Sequence, residues 1–273
     1  MSTDAISQQI QVMFRAAAAF PQPGTLSKKL GDVVENAPGK TSTIIDAEIL
    51  TCFATASVDM WHRSVHSFLV SASLTRASSL WASVSGYYSS HYSVRAFAHL
   101  LGYFQLYKKK RIMRVEVQED GSFLCHIIRK NAGDREHKFY WKTIKEDVRF
   151  PANPFFTKNN LDSDHRNMAN YADHINNSPT FQVLDEPAME EYVKTISYYK
   201  YSNAEAIFPK TKSYPDTENV QSIAYYRLAQ FRQCVDKALG STNLFWTTNR
   251  RPEWCPSFLD FKIPESELTN VDR

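Results

Sequence analysis

Glycine is scarce: eight occur in 273 residues, well below the usual share of about 7%. That leaves little material for a glycine-rich phosphate cradle. The nearest approach is "PGKTST" from Pro38, where Val34 stands in place of the first glycine of GxxxxGK[ST] and no strand signal precedes it. Backbone amides cannot curl around phosphates without those features, so Lys40 and Thr41 are expected in a turn approaching a helix. Cysteine is also sparse. Cys52, Cys125, Cys234 and Cys255 lie far apart with no CxxC pair, which argues against a zinc ribbon or a disulfide framework and points to buried free thiols. Neither charge dominates. Lys+Arg 32 against Asp+Glu 29 gives a formal +3, too little for a nucleic-acid coat, so any contact with nucleic acid must be local. No apolar run approaches the length of a membrane span. The N-terminus carries Asp4 early, and its apolar stretch is too short and too polar for a secretory signal. The expectation is a soluble, cytoplasmic protein that contacts no membrane. No GxSxG elbow occurs, and no cysteine has a nucleophile's context.

What is present is apolar and aromatic. The hydrophobic share is 43% and the aromatic share 13%, enough in a chain of this length for a real core. Residues 1–45 read as an N-terminal arm, with a short amphipathic helix over 4–19 closed by "PQPG". From about Asp46 to Lys108 there is no proline, and two long helices are expected to meet near "LTRASS". "RIMRVEV", "GSFLCHIIRK" and "EHKFYWKTI" are rich in β-branched and aromatic residues and are separated by the turns "QEDG" and "NAGD". Residues 111–146 are therefore expected to form a three-stranded antiparallel meander. "DSDHRNMANYADHI" reads as a helix with Asp162 or Ser163 near its N-cap. Residues 179–273 read as a helical C-terminal extension with an irregular tail. Pro187 opens one helix there, and Val220, Ile223, Ala224, Leu228, Phe231, Val235 and Leu239 mark the stripe of another, ended by Gly240.

The stretch "VSGYYSSHYSVRAFAHLLGYF", residues 84–104, separates on a helical wheel. Tyr87, Val94, Phe97, Leu101 and Phe104 share an apolar side, while Tyr88, His91, Arg95 and His99 follow one another along a neighbouring stripe. Tyrosine hydroxyls and backbone carbonyls could satisfy such a stripe inside a bundle. Alternatively, Arg95 could hold a phosphate in an anion pocket. "WHRSVH" brings His62 and His66 to i and i+4 as in HExxH metal sites, but Arg63 replaces the catalytic Glu, and no metal is expected. In "YKKKRIMR", Lys109, Lys110 and Arg111 are expected to cap a helix C-terminus, with contact to a nucleic-acid backbone as the alternative.

Two segments together resemble a known superfamily. "SGYYSSHYSVRAFAHLLG" resembles the signature helix of HEPN proteins, and "HRNMANYADH", with Arg166, Ala169, Asn170 and Tyr171, resembles their later helix. The likeness covers roughly residues 50–108 and 158–178. It implies a mainly α, HEPN-like helical bundle spanning 46–178 and carrying the small β insertion, α+β overall. Its proteins belong to toxin–antitoxin, phage-defence and RNA-processing systems, and they are often homodimers. The active members are metal-independent ribonucleases that need no cofactor. An Arg neutralises the scissile phosphate and a His moves the proton. Carried onto this chain, Arg166 would bind phosphate, His174 or His91 would carry the proton, and Tyr88 and Tyr171 would position the substrate. Seven residues lie between Arg166 and His174, more than in the pattern, and three between Arg95 and His99, fewer than in it. Three functions follow as expectations: an RNA-directed toxin or defence endoribonuclease; a non-catalytic module binding a nucleotide, nucleic acid, or a protein partner such as an antitoxin; and a structural subunit of a larger assembly.

Overall fold

The computed structural model describes residues 10–11, 26–36, 41–75, 77–106, 110–118, 120–129, 136–146 and 220–239. The expected helices around 4–19, Arg166–His174 and Pro187, and the C-terminal tail, lie outside the described residues, apart from Ile10 and Gln11, which are helical. In chain order the elements are α1 (Leu26–Glu35), β1 (Ser42–Ile45), α2 (Ala47–Leu74), α3 (Ser79–Leu100), β2 (Tyr103–Leu106), β3 (Arg111–Val117), β4 (Phe123–Arg129), α4 (Glu136–Glu146) and α5 (Val220–Leu239). The described chain is thus mostly helical with one small antiparallel sheet. Among the described residues no helix is long and apolar enough to cross a membrane.

Helices α2 and α3 are those expected between Asp46 and Lys108, and their ends have local causes. Asp46 Oδ1 accepts the Ile49 N–H at 3.0 Å, and Ser78 Oγ accepts the Trp81 N–H at 3.3 Å, so each helix starts on a side-chain cap. The second helix stops earlier than Lys108. Gly102, at φ +85, turns the chain in the left-handed region and donates its N–H to His99 O at 3.0 Å, a glycine C-terminal turn. The next four residues form a strand, which the sequence pattern does not predict.

The sheet runs β1-β4-β3-β2, all antiparallel. The first two strands of the expected meander are present as β3 and β4. The third is not: "EHKFYWKTI" folds as α4. Tyr140 and Ile144 are both 0% exposed with exposed Lys142 between them. That is the burial of a helix turn at i and i+4, whereas in a strand Lys142 would share their face. Thr41 likewise leads into a strand rather than a helix, and its carbonyl accepts the Ile127 N–H at 2.7 Å.

The chain divides into two compact units, one of Met1–Met60, Val94–Asn153 and Lys237–Leu239, the other of Trp61–Ser93, Pro154–Asp236 and Gly240–Arg273. In the first unit one sheet face, with Ile45, Leu106, Met113, Val115, Cys125 and Ile127, packs on Leu30 of α1 and Leu50, Cys52 and Phe53 of α2. Phe53 and Phe104 meet edge to face at 5.8 Å. Cys52 and Cys125 are buried free thiols, as expected. Burial pushes their pKa values up to about 11 and about 12, so both stay protonated and unreactive.

In the second unit α5 packs on α2 and α3 along its expected stripe; Val220, Ile223, Ala224, Leu228, Phe231 and Val235 are all buried. Gln221 donates to Ser71 O at 3.2 Å, Ser71 Oγ at 2.9 Å and Thr75 Oγ1 at 3.0 Å. Phe68 and Tyr225 are 5.8 Å apart, and buried Arg227 donates to Ser90 Oγ. Gly86 makes this approach possible. A Cβ there would lie 3.3 Å from Ser71 Oγ and 3.4 Å from Val220 Cγ1.

Candidate functional site

A seam of small residues joins α2 to α3. In the second unit Ser64 Oγ donates to Ser89 O at 2.8 Å and lies 2.6 Å from Ser93 Oγ, and Ser71 Oγ donates to Ala82 O at 2.6 Å. In the first unit Ser57 Oγ donates to Ala96 O at 2.6 Å. The serines rise by seven while their partners fall by seven, which is the register of an antiparallel pair on a heptad repeat. With hydroxyls bonded to facing carbonyls, the backbones approach closely and larger side chains are forced to the flanks.

One flank in the second unit forms a cleft of about 240 Å³ lined by His66, Ser67 and Val70 of α2 and Ser85, Tyr88 and Tyr92 of α3. All six are half-buried, so the walls are packed while the mouth reaches solvent. Ser85, Tyr88 and Tyr92 follow at three and four residues and form one helical stripe. The Tyr88 and Tyr92 rings are 6.1 Å apart and tilted 31°, and Tyr87 braces Tyr88 edge to face at 5.4 Å. Burial holds the His66 pKa below its ordinary 6.5, so the imidazole is neutral at neutral pH. In that form the ring has one N–H and one acceptor nitrogen. Among the described residues no Lys, Arg, Asp or Glu lines the cleft, and its lining is aromatic and polar.

The residues singled out by sequence are divided. Tyr88 lines the cleft. His91 is 1% exposed and stacks on Tyr87 at 6.2 Å with the planes 5° apart. Arg95 belongs to the first unit, where its guanidinium carbon lies 5.1 Å from the Tyr140 ring centre. His99, also in the first unit, donates from Nδ1 to the Tyr103 carbonyl at 2.9 Å and meets the Tyr140 ring at 5.4 Å. Burial, and then the Arg95 charge, push its pKa down to about 3. Tyr88 and His91 belong to the second unit and Arg95 and His99 to the first.

Arg166, Tyr171, His174 and Lys109 lie outside the described residues. Of the basic run, the described Lys110 and Arg111 follow a strand rather than the end of a helix, with Leu106 paired opposite Arg111. Exposed Lys110 there takes a left-handed φ of 48, and Arg111 is half-buried at the start of β3. Among the described residues no group of three or more His, Cys, Asp or Glu is placed to hold a metal ion. His66, Ser67, Val70, Ser85 and Tyr92 are not identified as site residues by sequence. The signal available is the run of serines at intervals of seven, which fixes the helix register and hence which side chains flank the seam. No protein-family model, curated protein or solved structure matches the chain.

Proposed function

We propose that the chain is an RNA- or nucleotide-binding protein on a HEPN-like bundle, engaging its ligand at the α2–α3 cleft rather than through His91. The observation that carries this is Tyr88: the second tyrosine of the signature-like "GYY" lines a cleft together with Tyr92. His91 is 1% exposed, which favours the cleft over this imidazole as the place where a ligand is met. A proton carrier must reach the atom it serves within hydrogen-bond distance.

A second reading, a metal-independent endoribonuclease of a toxin or defence system, rests on the order of the two motifs and on Arg166 and His174. One experiment separates the readings. The purified chain is titrated against fluorescent single-stranded RNA, and RNA integrity is followed in the presence of a chelator. The binding reading predicts saturable binding without cleavage, unchanged chemistry in Arg166→Ala and His174→Ala, and no toxicity on expression. Chelator-resistant cleavage abolished by either substitution would replace it with the ribonuclease reading. Absence of binding to RNA and to nucleotides would remove both.

A further inference from the structure

The cleft's chemistry is narrower than nucleic acid in general. Its volume of about 240 Å³ is below the roughly 300–1,000 Å³ of sites that enclose a drug-sized ligand. It suits a single ring system rather than a whole nucleotide. None of the described residues that line it carries a charge, which favours the ring of a nucleotide over its phosphate as the part held there. Two phenol rings one turn apart, 6.1 Å between centres and tilted 31°, line it, and aromatic rings are groups on which a flat ring can stack. His66, Ser67 and Ser85 line it with side chains of types that hydrogen-bond to a heteroatom-bearing edge. The half-exposed rim lets a ring enter while the chain attached to it stays outside.

We propose that this cleft is a subsite for one planar nitrogen heterocycle of the nucleobase class, stacked on Tyr88 and Tyr92 and read along its edge by His66, Ser67 and Ser85, with sugar and phosphate outside. The inference rests on the preceding reading only for the source of the ring, which is either a free nucleoside or a base of single-stranded RNA.

The test is equilibrium dialysis of adenosine, uridine, ribose 5-phosphate and a short single-stranded RNA against the full chain, Tyr88→Ala, Tyr92→Ala and Tyr88→Phe. Circular dichroism of each variant checks that the bundle is intact. A nucleoside should bind and ribose 5-phosphate should not. Tyr88→Ala should weaken binding about ten-fold, in the range found for removal of a stacking platform, whereas Tyr88→Phe, which keeps the ring, should stay within about two-fold. Tyr92→Ala and the comparison of nucleoside with ribose 5-phosphate on the unaltered chain keep the test decisive should Tyr88→Ala lose its fold. Ribose 5-phosphate binding as well as adenosine, or both Ala variants binding like wild type, overturns the proposal. RNA bound equally by wild type and variants overturns the cleft inference and leaves RNA binding standing. Tyr88-dependent nucleoside binding without RNA binding keeps the subsite and removes RNA as its source.

Discussion

At the scale of single residues, His99 shows how burial decides what an ionisable group can do. Its Nδ1 is held by a backbone carbonyl, and folding pushes its pKa from 6.5 to about 3. Below pH 6.5 the unfolded chain takes up a proton that the folded imidazole refuses. This contribution to stability is therefore complete above about pH 6.5 and is lost as the pH falls toward 3, by at most about 1.4 kcal/mol per pH unit. Denaturant titrations of wild type and His99→Asn between pH 6.5 and 5 should show the variant's stability declining less steeply; parallel curves would refute the assignment. Gly102 gives a second residue-scale outcome. With φ +85 and Val115 Cβ and O both 3.0 Å from a hypothetical Cβ, Gly102→Ala combines a strained backbone with a clash. It should cost more than about 1 kcal/mol in urea unfolding. None of this is legible in the sequence, where His99 looks equivalent to His91 and Arg95. A helical wheel gives direction but not which neighbour waits there.

At the scale of elements, the strong periodicities are legible and the short or composition-led ones are not. The α5 stripe and the Asp46 start of α2 follow from sequence because long amphipathic spacing and a capping side chain are local signals. β1 and β2 escape it because four residues are too few to display alternation. The helix α4 reads as a strand because Phe139, Tyr140, Trp141 and Thr143 favour strands by composition, while the i, i+4 burial of Tyr140 and Ile144 decides the outcome. Tyr140 also anchors α4 to β2 by accepting the Gln105 N–H at its hydroxyl, 3.1 Å away in a buried setting. Tyr140→Phe should cost about 1 kcal/mol and accelerate amide exchange at Gln105; protection unchanged at that amide would argue against the bond. The serine seam predicts a larger effect. Ser64 is 0% exposed at a backbone-close contact, so Ser64→Leu should destabilise by about 1–3 kcal/mol through overpacking, while Ser64→Ala should cost about 1 kcal/mol. Equal stability of the Leu variant and wild type would contradict the close approach.

At the scale of the whole molecule, the tyrosine-lined cleft belongs to one unit and the basic run to the other; on the proposed reading the first meets bases and the second phosphates. The balance of charges makes any affinity for RNA depend on such local features. Changing Lys109, Lys110 and Arg111 together to Ala should flatten the log–log salt dependence of RNA binding by about 0.7 for each phosphate of a single strand that is no longer neutralised. An unchanged slope would assign the run to solvent alone. That the α2–α3 cleft holds a base of single-stranded RNA is tested most directly by cross-linking a photoreactive RNA to the full chain and identifying the modified residues by mass spectrometry. Cross-links are expected at Tyr88 or Tyr92, and free adenosine should compete them away. Cross-links confined to other parts of the chain and insensitive to adenosine would contradict base binding in the cleft.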